Sequence, residues 1–369
     1  MRSVRNCSVA VVGGAGFLGS HAVQHLVEDR GCDVLVIDNL VAGRREFIHP
    51  KAKFEYHDIT GSEQRLYDLF KQYKIRFVGN WAAYPYIPVS FARPIHVADV
   101  NFMGAMKVIN AAQEAGAEGI LQVSSAEIYG EGPKRLLRDE PMTDVGEVPY
   151  YKEMRIDESG IVCPHSSYGV AKAAVDYAVQ VRWREARTPC IALRQFNCVG
   201  ERETHPYIVP EIISQLSKQI VYSSGGQPIT PMLPDELKGH VHLGNNSFRD
   251  FMYAGDAVRI AVELLERGQF GEVYNLGSET GVKMYDLAKL IGKLMGFADV
   301  VVERDEARVR PYEIWHLQAD NTKIRNTCVK MQGKETLEHL LMKPTPLEES
   351  LRRTIKWFEG NGRKWPWEK

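Results

Sequence analysis

Near its start the chain carries a short apolar run that leads straight into three closely spaced glycines. The run Ser8–Val12 has the composition of a buried β-strand, and Gly13, Gly16 and Gly19 follow it. An amphipathic helical pattern comes directly after the glycines. Glycine lets backbone N–H groups approach a diphosphate closely, and the start of a helix presents partial positive charge there. This order of strand, glycine turn and helix predicts a dinucleotide-binding unit.

An acidic residue stands where the second strand of such a unit ends. The apolar run Asp33–Ile37 is followed by Asp38, about one helix after the glycines. A carboxylate at this position accepts hydrogen bonds from the adenosine ribose hydroxyls and repels a 2′-phosphate. We therefore predict NAD rather than NADP as the cofactor. Arg44 and Arg45 follow closely and argue in the other direction.

Composition excludes several classes of partner. A chain of 369 residues can form one large or two modest domains. Its formal net charge of −1 gives no support for binding to nucleic acid or to an anionic membrane, and no apolar stretch reaches the roughly 20 residues of a membrane span. The six cysteines show no paired spacing, and no signal peptide precedes the first strand, so we expect reduced thiols in a cytoplasmic protein. His240 and His242 have no third ligand nearby, and we expect no metal site.

Short apolar runs alternate with helical patterns through the first half of the chain. Alternation of this kind predicts an α/β fold, a Rossmann-type doubly wound parallel sheet with helices on both faces. The expected strands are Ser8–Val12, Val34–Ile37, Lys53–Tyr56, Phe77–Trp81, Gly119–Ser124 and Cys190–Arg194. The expected helices are Gly19–Asp29, Gly61–Lys71, Val97–Ala115 and Ala171–Glu185.

The alternation breaks down after Gly200. The stretch Tyr222–Asn246 is rich in Gly, Pro and Ser and predicts a long loop or small insertion. A further strand, Val273–Leu276, leads into a helix near Met284–Leu294, and the aromatic and basic stretch 357–369 predicts a helix end on the surface of a second lobe. We predict an NAD-binding domain over residues 1–197 with a returning segment near 249–278, and a smaller mixed α/β substrate lobe over 198–248 and 279–369.

A tyrosine and a lysine are placed four residues apart in the middle of the chain. Tyr168 and Lys172 share one face of a helix, about one turn from each other. A nearby ammonium and the positive charge of an oxidised nicotinamide stabilise a phenolate, so we expect a pKa for Tyr168 closer to neutrality than the usual value near 10. Tyr168 then acts as the base for a substrate hydroxyl. Ser124 and Ser125 end a predicted strand, where a hydroxyl can orient that substrate group.

Taken together, these motifs resemble the extended short-chain dehydrogenase/reductase family, in its nucleotide-sugar epimerase/dehydratase branch. The matching residues occur in the family's order to about Lys323: Gly13–Gly19, Asp38–Leu40, Asp58–Ile59, Ala82–Ala83, Ser124–Gly130, Tyr168 with Lys172, Arg194–Asn197 and Arg249–Phe251. The resemblance implies an enzyme that keeps tightly bound, recycled NAD and acts on a nucleoside-diphosphate sugar. It also implies a homodimer formed through the helices near Val97–Ala115 and Ala171–Glu185.

The resemblance assigns a role to each matching position. It implies that Ser125, Tyr168 and Lys172 carry out the oxidation and that Asn197, Arg249 and Arg310 contact the sugar nucleotide. Arginine suits this task because its guanidinium donates paired hydrogen bonds to phosphate. The residues implied to hold NAD are Gly13, Gly16, Phe17, Leu18, Gly19, Asp38, Asn39, Asp58, Ile59, Ala82, Ala83, Tyr84, Ser124, Tyr168 and Lys172.

The resemblance implies a shared first step, the oxidation of a sugar carbon, usually C4. The residues near that carbon then decide which reaction follows. Glu127 stands where related dehydratases have a base for C5, but Ala126 replaces the acid that would expel the C6 hydroxyl. Loss of a general acid costs a factor of about 10²–10⁴. We therefore favour C4 epimerisation. The motifs Val241–Asn245 and Arg308–Pro311 point instead to a 4,6-dehydratase or a UDP-glucuronate-type decarboxylase, and a non-catalytic NAD-binding protein is the alternative from another class.

Two segments depart from the family pattern. An extra charged stretch, Tyr150–Gly160, lies within residues 131–166, and we expect it to cover the sugar site as a lid or to extend a subunit contact. Trp81 and Tyr84–Tyr86 predict an aromatic wall, which either stacks on a substrate or only packs.

Overall fold

The computed structural model describes residues 2–130, 155–222, 228–229, 238–309, 313–329 and 343–368. The strands in these residues are β1 (Ser8–Val12), β2 (Asp33–Asp38), β3 (Lys53–Tyr56), β4 (Phe77–Asn80), β5 (Gly119–Ser125), β6 (Cys190–Gln195), β7 (Asn197–Val199), β8 (Val221–Tyr222), β9 (Pro228–Ile229), β10 (Lys238–Leu243), β11 (Phe248–Tyr253), β12 (Val273–Leu276), β13 (Gly281–Lys283), β14 (Asp299–Arg304) and β15 (His316–Leu317). The α-helices are α1 (Phe17–Glu28), α2 (Glu63–Gln72), α3 (Ile87–Ala92), α4 (Pro94–Ala98), α5 (Ala105–Ala115), α6 (Ser167–Ala186), α7 (Ile208–Ser217), α8 (Ala254–Arg267), α9 (Met284–Leu294), α10 (Thr322–Val329) and α11 (Leu347–Gly360).

Seven parallel strands form the central sheet, in the order β3-β2-β1-β4-β5-β6-β12. In its register Val9 of β1 pairs with Val34 on one side and with Phe77 on the other. Alternate residues of β1 face opposite sides, so that α1 and α8 cover one face of the sheet while α2, α5 and α6 cover the other. Strand order reverses between β1 and β4, and ligands of such sheets bind in the crevice beyond the strand ends at this point.

The second lobe surrounds a smaller mixed sheet. Strand β11 pairs in parallel with β7 and β15 and antiparallel with β13, while β10 and β14 form a separate parallel pair. Helices α7, α9 and α11 enclose its core. Helix α10 packs against β12 and α8 of the larger sheet, although it follows the second lobe in the chain. The domain limits expected from the sequence remain a prediction.

Most expected elements occur where the sequence places them, with three differences. The predicted helix Val97–Ala115 is divided into α4, a π-helical turn at Asp99–Gly104 and α5. The predicted loop Tyr222–Asn246 contains β10, whose Gly239, Val241 and Leu243 are buried while the residues between them are exposed. The stretch after α11 does not only cover the surface, because Trp365 is buried in the core of the second lobe.

The described part of the inserted charged stretch contacts both the second lobe and the central sheet, where the Glu158 carbonyl accepts from Arg194 of β6. Ile156 forms an isolated parallel bridge with Ala319, and Gly160 follows in the same described segment. Residues 150–154 of the predicted lid lie outside the described residues. Among the helices that the structure describes, none is both long and apolar enough to cross a membrane.

A buried arginine connects the elements that carry the central motifs. Arg194 of β6 donates through Nε and Nη2 to Oδ2 of Asp176 on α6, at 3.1 and 2.8 Å. Its Nη1 donates to the Tyr129 hydroxyl at 2.6 Å and to the Glu158 carbonyl at 3.1 Å. Because both members of the ion pair are almost fully buried, removing one leaves the other charge without compensation.

We expect Arg194→Met to destabilise the protein by about 3–5 kcal/mol, because the carboxylate of Asp176 stays buried without a counter-charge. Urea denaturation followed by circular dichroism measures the change. The double variant Arg194→Met/Asp176→Leu should recover most of the loss, since it removes both charges. A single variant as stable as the parent protein would show that this ion pair does not fix α6.

Candidate functional site

All predicted site residues that the structure describes line one cleft at the carboxyl ends of the central strands. Its volume is about 940 Å³. Arg310 lies outside the described residues. The predicted residues that line the cleft are Gly13, Gly16, Phe17, Leu18, Gly19, Asp38, Asn39, Asp58, Ile59, Ala82, Ala83, Tyr84, Ser124, Ser125, Glu127, Tyr168, Lys172, Asn197 and Arg249.

The glycine turn has no room for side chains. Gly13 has a φ of +78°, and a Cβ at this position would lie 2.5 Å from the backbone nitrogen of Ala82. A Cβ on Gly19 would lie 2.0 Å from the Gly13 carbonyl oxygen. Helix α1 begins after Gly16 without a side-chain cap, so its first N–H groups have no side-chain acceptor. The turn is therefore a cradle that fits the diphosphate of a dinucleotide.

The acidic residues expected at the adenosine end lie together. Asp38 accepts hydrogen bonds from the backbone N–H groups of Ala15 and Leu40, at 3.0 and 2.8 Å. Burial raises the pKa of Asp38, and these N–H groups oppose that shift. The Asn39 amide donates to Asp58 at 2.8 Å. The guanidinium of Arg45 lies over the ring of Phe54 at 4.8 Å and does not line the cleft.

Helix α6 places the tyrosine and the lysine inside the cleft. The Ser166 hydroxyl caps the helix by accepting from the N–H of Gly169 at 3.0 Å. The Lys172 amine donates to the Val123 carbonyl at 2.9 Å and lies 5.9 Å from the centre of the Tyr168 ring. Tyr168 forms a hydrogen bond with Ser125. The three residues therefore meet at the end of β5.

In the protein without cofactor, burial controls the protonation of Tyr168 and Lys172. Burial raises the pKa of Tyr168 to about 12; the hydrogen bond with Ser125 lowers it and the charge of Glu127 raises it further. Burial also lowers the pKa of Lys172 to about 8. The expectation of a tyrosine pKa nearer neutrality depends on the charge of an oxidised nicotinamide, so it stays a prediction for the enzyme with its cofactor bound.

The turn after β5 carries one carboxylate and one methyl group. The Ser125 hydroxyl accepts from the N–H of Glu127 at 3.2 Å, and Glu127 lines the cleft. In addition to burial, the negative charge of Glu127 raises the pKa of Tyr168, which places the carboxylate near the phenol. Ala126 also lines the cleft and is almost fully buried, but it has no proton to donate.

The second lobe contributes polar groups whose partners the sequence did not reveal. The Asn197 side-chain oxygen is buried and has no hydrogen-bond partner among the described residues, so a ligand donor would satisfy it. Arg249 donates to Glu313 at 2.7 Å, and Arg308 pairs with Glu211 at 2.8 Å. Sequence reasoning missed Glu313 because its partner lies more than sixty positions away in the chain.

An aromatic wall and a buried acid also line the cleft. Tyr86 stacks on His205 with 6.2 Å between the ring centres, and the Tyr207 hydroxyl donates to the Pro85 carbonyl at 2.6 Å. These contacts join the loop after β4 to the second lobe. Glu203 is buried beside this wall, and burial raises its pKa to about 8. The sequence predicted the aromatic character near Tyr84–Tyr86 but gave no sign of the contact with residues 203–207.

The lowered pKa of Lys172 has a consequence for stability. An amine whose pKa falls from 10.5 to about 8 on folding makes a destabilising contribution of about 3 kcal/mol below pH 8, because the unfolded chain binds the proton more strongly. We expect Lys172→Met to unfold at a higher urea concentration than the parent protein at pH 7. Its free energy of unfolding should be greater by up to about 3 kcal/mol. The difference should shrink as the pH rises from 8 towards 10.5. Cofactor-free protein is used for both measurements, and a less stable variant at pH 7 would contradict the assignment.

Comparison with known proteins identifies the family of this chain. The family model described as "NAD dependent epimerase/dehydratase family" matches residues 9–277. The dTDP-D-glucose 4,6-dehydratase of Mus musculus is 28% identical over 364 residues, covering 97% of this chain and 90% of the relative. The UDP-glucose 4-epimerase of Lacticaseibacillus casei is 27% identical over 303 residues, covering 78% of this chain and 82% of the relative.

Solved structures share the fold. The UDP-glucose 4-epimerase of Thermotoga maritima superposes with a TM-score of 0.74 at 24% identity, covering 96% of this chain and 99% of that one. The dTDP-glucose 4,6-dehydratase DesIV of Streptomyces venezuelae gives the same TM-score at 21% identity, covering 97% and 98%. The glycine cradle, the Tyr168–Lys172 pair and the family match over most of the chain lead to one conclusion: this protein is an NAD-dependent enzyme of the epimerase/dehydratase family.

Proposed function

We propose that this enzyme acts on a nucleoside-diphosphate sugar through a transient 4-keto sugar. The observation that carries the proposal is that Ser125, Tyr168 and Lys172 line the same cleft as the glycine turn and as Arg249 and Arg308 of the second lobe. A dinucleotide on the glycine turn leaves the second-lobe arginines for a second diphosphate. The curated relatives named above act on sugar nucleotides by their names, which supports this substrate class.

Each residue of the catalytic group has a defined task. NAD, when bound, supplies the acceptor for hydride from C4 of the sugar and the donor for its return. Ser125 orients the C4 hydroxyl, and Tyr168 takes its proton. Lys172 keeps its amine near the phenol and changes protonation near pH 8, which suits a residue that tunes a base at physiological pH. Asn197 offers its unpartnered oxygen to the substrate.

We propose C4 epimerisation as the reaction. The residue that carries this choice is Ala126, because it offers no acid for the departure of a C6 hydroxyl although it lines the cleft directly after Ser125. Epimerisation needs only the return of hydride to the other face of the sugar, for which Tyr168 donates back the proton it took. The wide cleft gives the keto-sugar room to turn.

A 4,6-dehydration is the second candidate, favoured by Glu127. Its carboxylate lies near Tyr168, where it could remove a proton from C5. A UDP-glucuronate-type decarboxylation and a purely cofactor-binding role are the remaining alternatives.

Incubation with UDP-, dTDP- and GDP-sugars in deuterated water separates these reactions. We expect an epimer of unchanged mass that carries no deuterium at C5, and mass spectrometry with NMR measures both. A keto-deoxy sugar with deuterium at C5 would instead establish dehydration, and a pentose would establish decarboxylation. No product from any sugar nucleotide would favour the cofactor-binding role.

Two variants make the same experiment sharper. Glu127→Gln should leave epimerisation largely intact, whereas a dehydratase would lose its exchange of the C5 proton. Tyr168→Phe serves as the control, because it should abolish turnover while NAD stays bound. Unchanged turnover in Tyr168→Phe would remove the phenol from the mechanism.

We also propose that the enzyme is a homodimer. Helix α6 packs against α4 and the π-helical turn, and these three elements expose the apolar residues Ile95, Met103, Val170, Tyr177 and Val181. Ile95 is 85% exposed, which is unusual for an isoleucine unless a partner covers it. A second copy of the chain is the proposed partner, as the family resemblance implies.

We also propose a cytoplasmic location. The cysteines that the structure describes are free thiols, which agrees with a reducing compartment.

The dimer proposal predicts that Tyr177→Glu/Val181→Glu is monomeric, because two buried carboxylates in the interface would be uncompensated. Sedimentation velocity measures the oligomeric state. Val301→Glu is the matched control, since Val301 is a partly exposed valine on β14 outside this face. A parent protein that sediments as a monomer at micromolar concentration would overturn the proposal.

A further inference from the structure

The segment after α11 folds back onto the cofactor side of the cleft. We define the strap as residues Trp365–Glu368. Trp365 is buried between Phe358 and Trp367, with ring centres 4.9 and 5.4 Å apart, and the two tryptophan rings are nearly parallel. Glu368 accepts from the N–H of Trp365 at 2.9 Å and from the Ser214 hydroxyl at 3.3 Å. The strap is therefore anchored to the second lobe.

The outer ring of this stack reaches the cleft. Trp367 lines the same cavity as the glycine turn, although it stands more than three hundred positions away in the chain. One of its faces is covered by Trp365. The atoms that line the cleft therefore belong to its edge or its other face, and the stack holds them in a fixed position.

Arg44 connects the strap to the cofactor side. Its backbone N–H donates to the carbonyl of Ala15 in the glycine turn at 2.9 Å, and its Nη2 donates to the carbonyl of Pro366. The side chain thus starts beside the turn and spans to the strap. Burial and the positive charge of Arg44 together lower the pKa of His205 to about 4, which places the guanidinium near His205 on the opposite wall of the cleft.

Arg44 differs from the other arginines of the cleft in its partners. Arg249 and Arg308 are each paired with a carboxylate, Glu313 and Glu211. Among the described residues, Arg44 contacts only carbonyl oxygens, those of Gly43 and Pro366. A guanidinium that has no carboxylate partner among the described residues, on a side chain that starts beside the glycine turn, has charge available for an anion.

We propose that Arg44 and Trp367 close the cleft over the diphosphate of the bound dinucleotide, so that the strap retains the cofactor. Arg44 keeps one donor on Pro366 and offers the others to a phosphate oxygen, while Trp367 excludes water from that side. The inference depends on the dinucleotide lying along the glycine turn and is independent of which sugar reaction the enzyme performs.

Binding of NAD and NADP to cofactor-free protein tests the role of Arg44. Arg44→Ala should weaken both dinucleotides about 10- to 100-fold, as expected for one charge-assisted hydrogen bond, and more at low salt than at high salt. Arg44→Lys should retain part of the affinity. Arg45→Ala is the matched control and should bind NAD like the parent, because Arg45 stacks on Phe54 outside the cleft. Isothermal titration calorimetry measures all four proteins.

Release of bound NADH tests the role of Trp367. Excited tryptophan transfers energy to bound NADH, which then fluoresces. The decay of this NADH fluorescence after mixing with excess NAD gives the dissociation rate. We expect Trp367→Ala to release NADH several-fold faster and Trp367→Phe to lie between it and the parent. Trp183→Phe, which removes a tryptophan that packs on Phe270 away from the cleft, should not change the rate.

Three outcomes would overturn the proposal. A loss in Arg44→Ala confined to NADP would make Arg44 a contact for a 2′-phosphate. If Arg44→Ala weakened only the binding of UDP and dTDP, titrated in the same way, Arg44 would be a contact for the sugar nucleotide. Unchanged binding and release in both Arg44→Ala and Trp367→Ala would leave the strap a purely structural element. None of these readouts requires turnover of a sugar, so they are separate from any failure of the proposed function.

Discussion

The close approach of two backbone turns at the reversal of strand order is the constraint on which the site depends. The turn after β1 touches the chain after β4, so closely that a Cβ on Gly13 would overlap Ala82. This contact exists because β1 and β4 are neighbours in the sheet although far apart in the chain. It brings the diphosphate cradle and Ala82–Ala83, which the family resemblance implies to hold NAD, to one crevice. Every later feature of the cleft is placed relative to it.

The second constraint is the low polarity around the catalytic group. Burial favours the neutral form of both Tyr168 and Lys172, because it raises the pKa of the phenol and lowers the pKa of the amine. The amine compensates by donating to a backbone carbonyl rather than to a carboxylate. A phenol that is neutral in the empty cleft responds strongly to a new positive charge, because electrostatic interactions are stronger in a buried site than in water. The positive charge of an oxidised nicotinamide would therefore favour the phenolate form in the proposed mechanism.

Local sequence patterns were sufficient for the central sheet and for most of the site. These predictions rest on local signals that each span only a few residues: the strand–glycine–helix order, Asp38, and the spacing of Tyr168 and Lys172. Patterns failed where long-range packing decides: β10 lies in a stretch rich in turn residues, and its strand character comes from pairing with β14. The pairing of Arg249 with Glu313 and the burial of Trp365 also depend on contacts across the chain. No spacing rule reveals such contacts in one sequence.

The distribution of charge in the cleft unites these observations. Two arginines of the second lobe already have carboxylate partners, so a diphosphate that binds there must share or replace an existing ion pair. Breaking such a pair offsets part of the binding energy, which favours a ligand that is released after each turnover. On the cofactor side, within the part of the chain that the structure describes, Arg44 donates hydrogen bonds only to carbonyl oxygens, and the cradle consists of backbone N–H groups. A diphosphate bound there displaces no counter-charge, and this asymmetry gives a physical reason for one dinucleotide to stay while sugar nucleotides exchange.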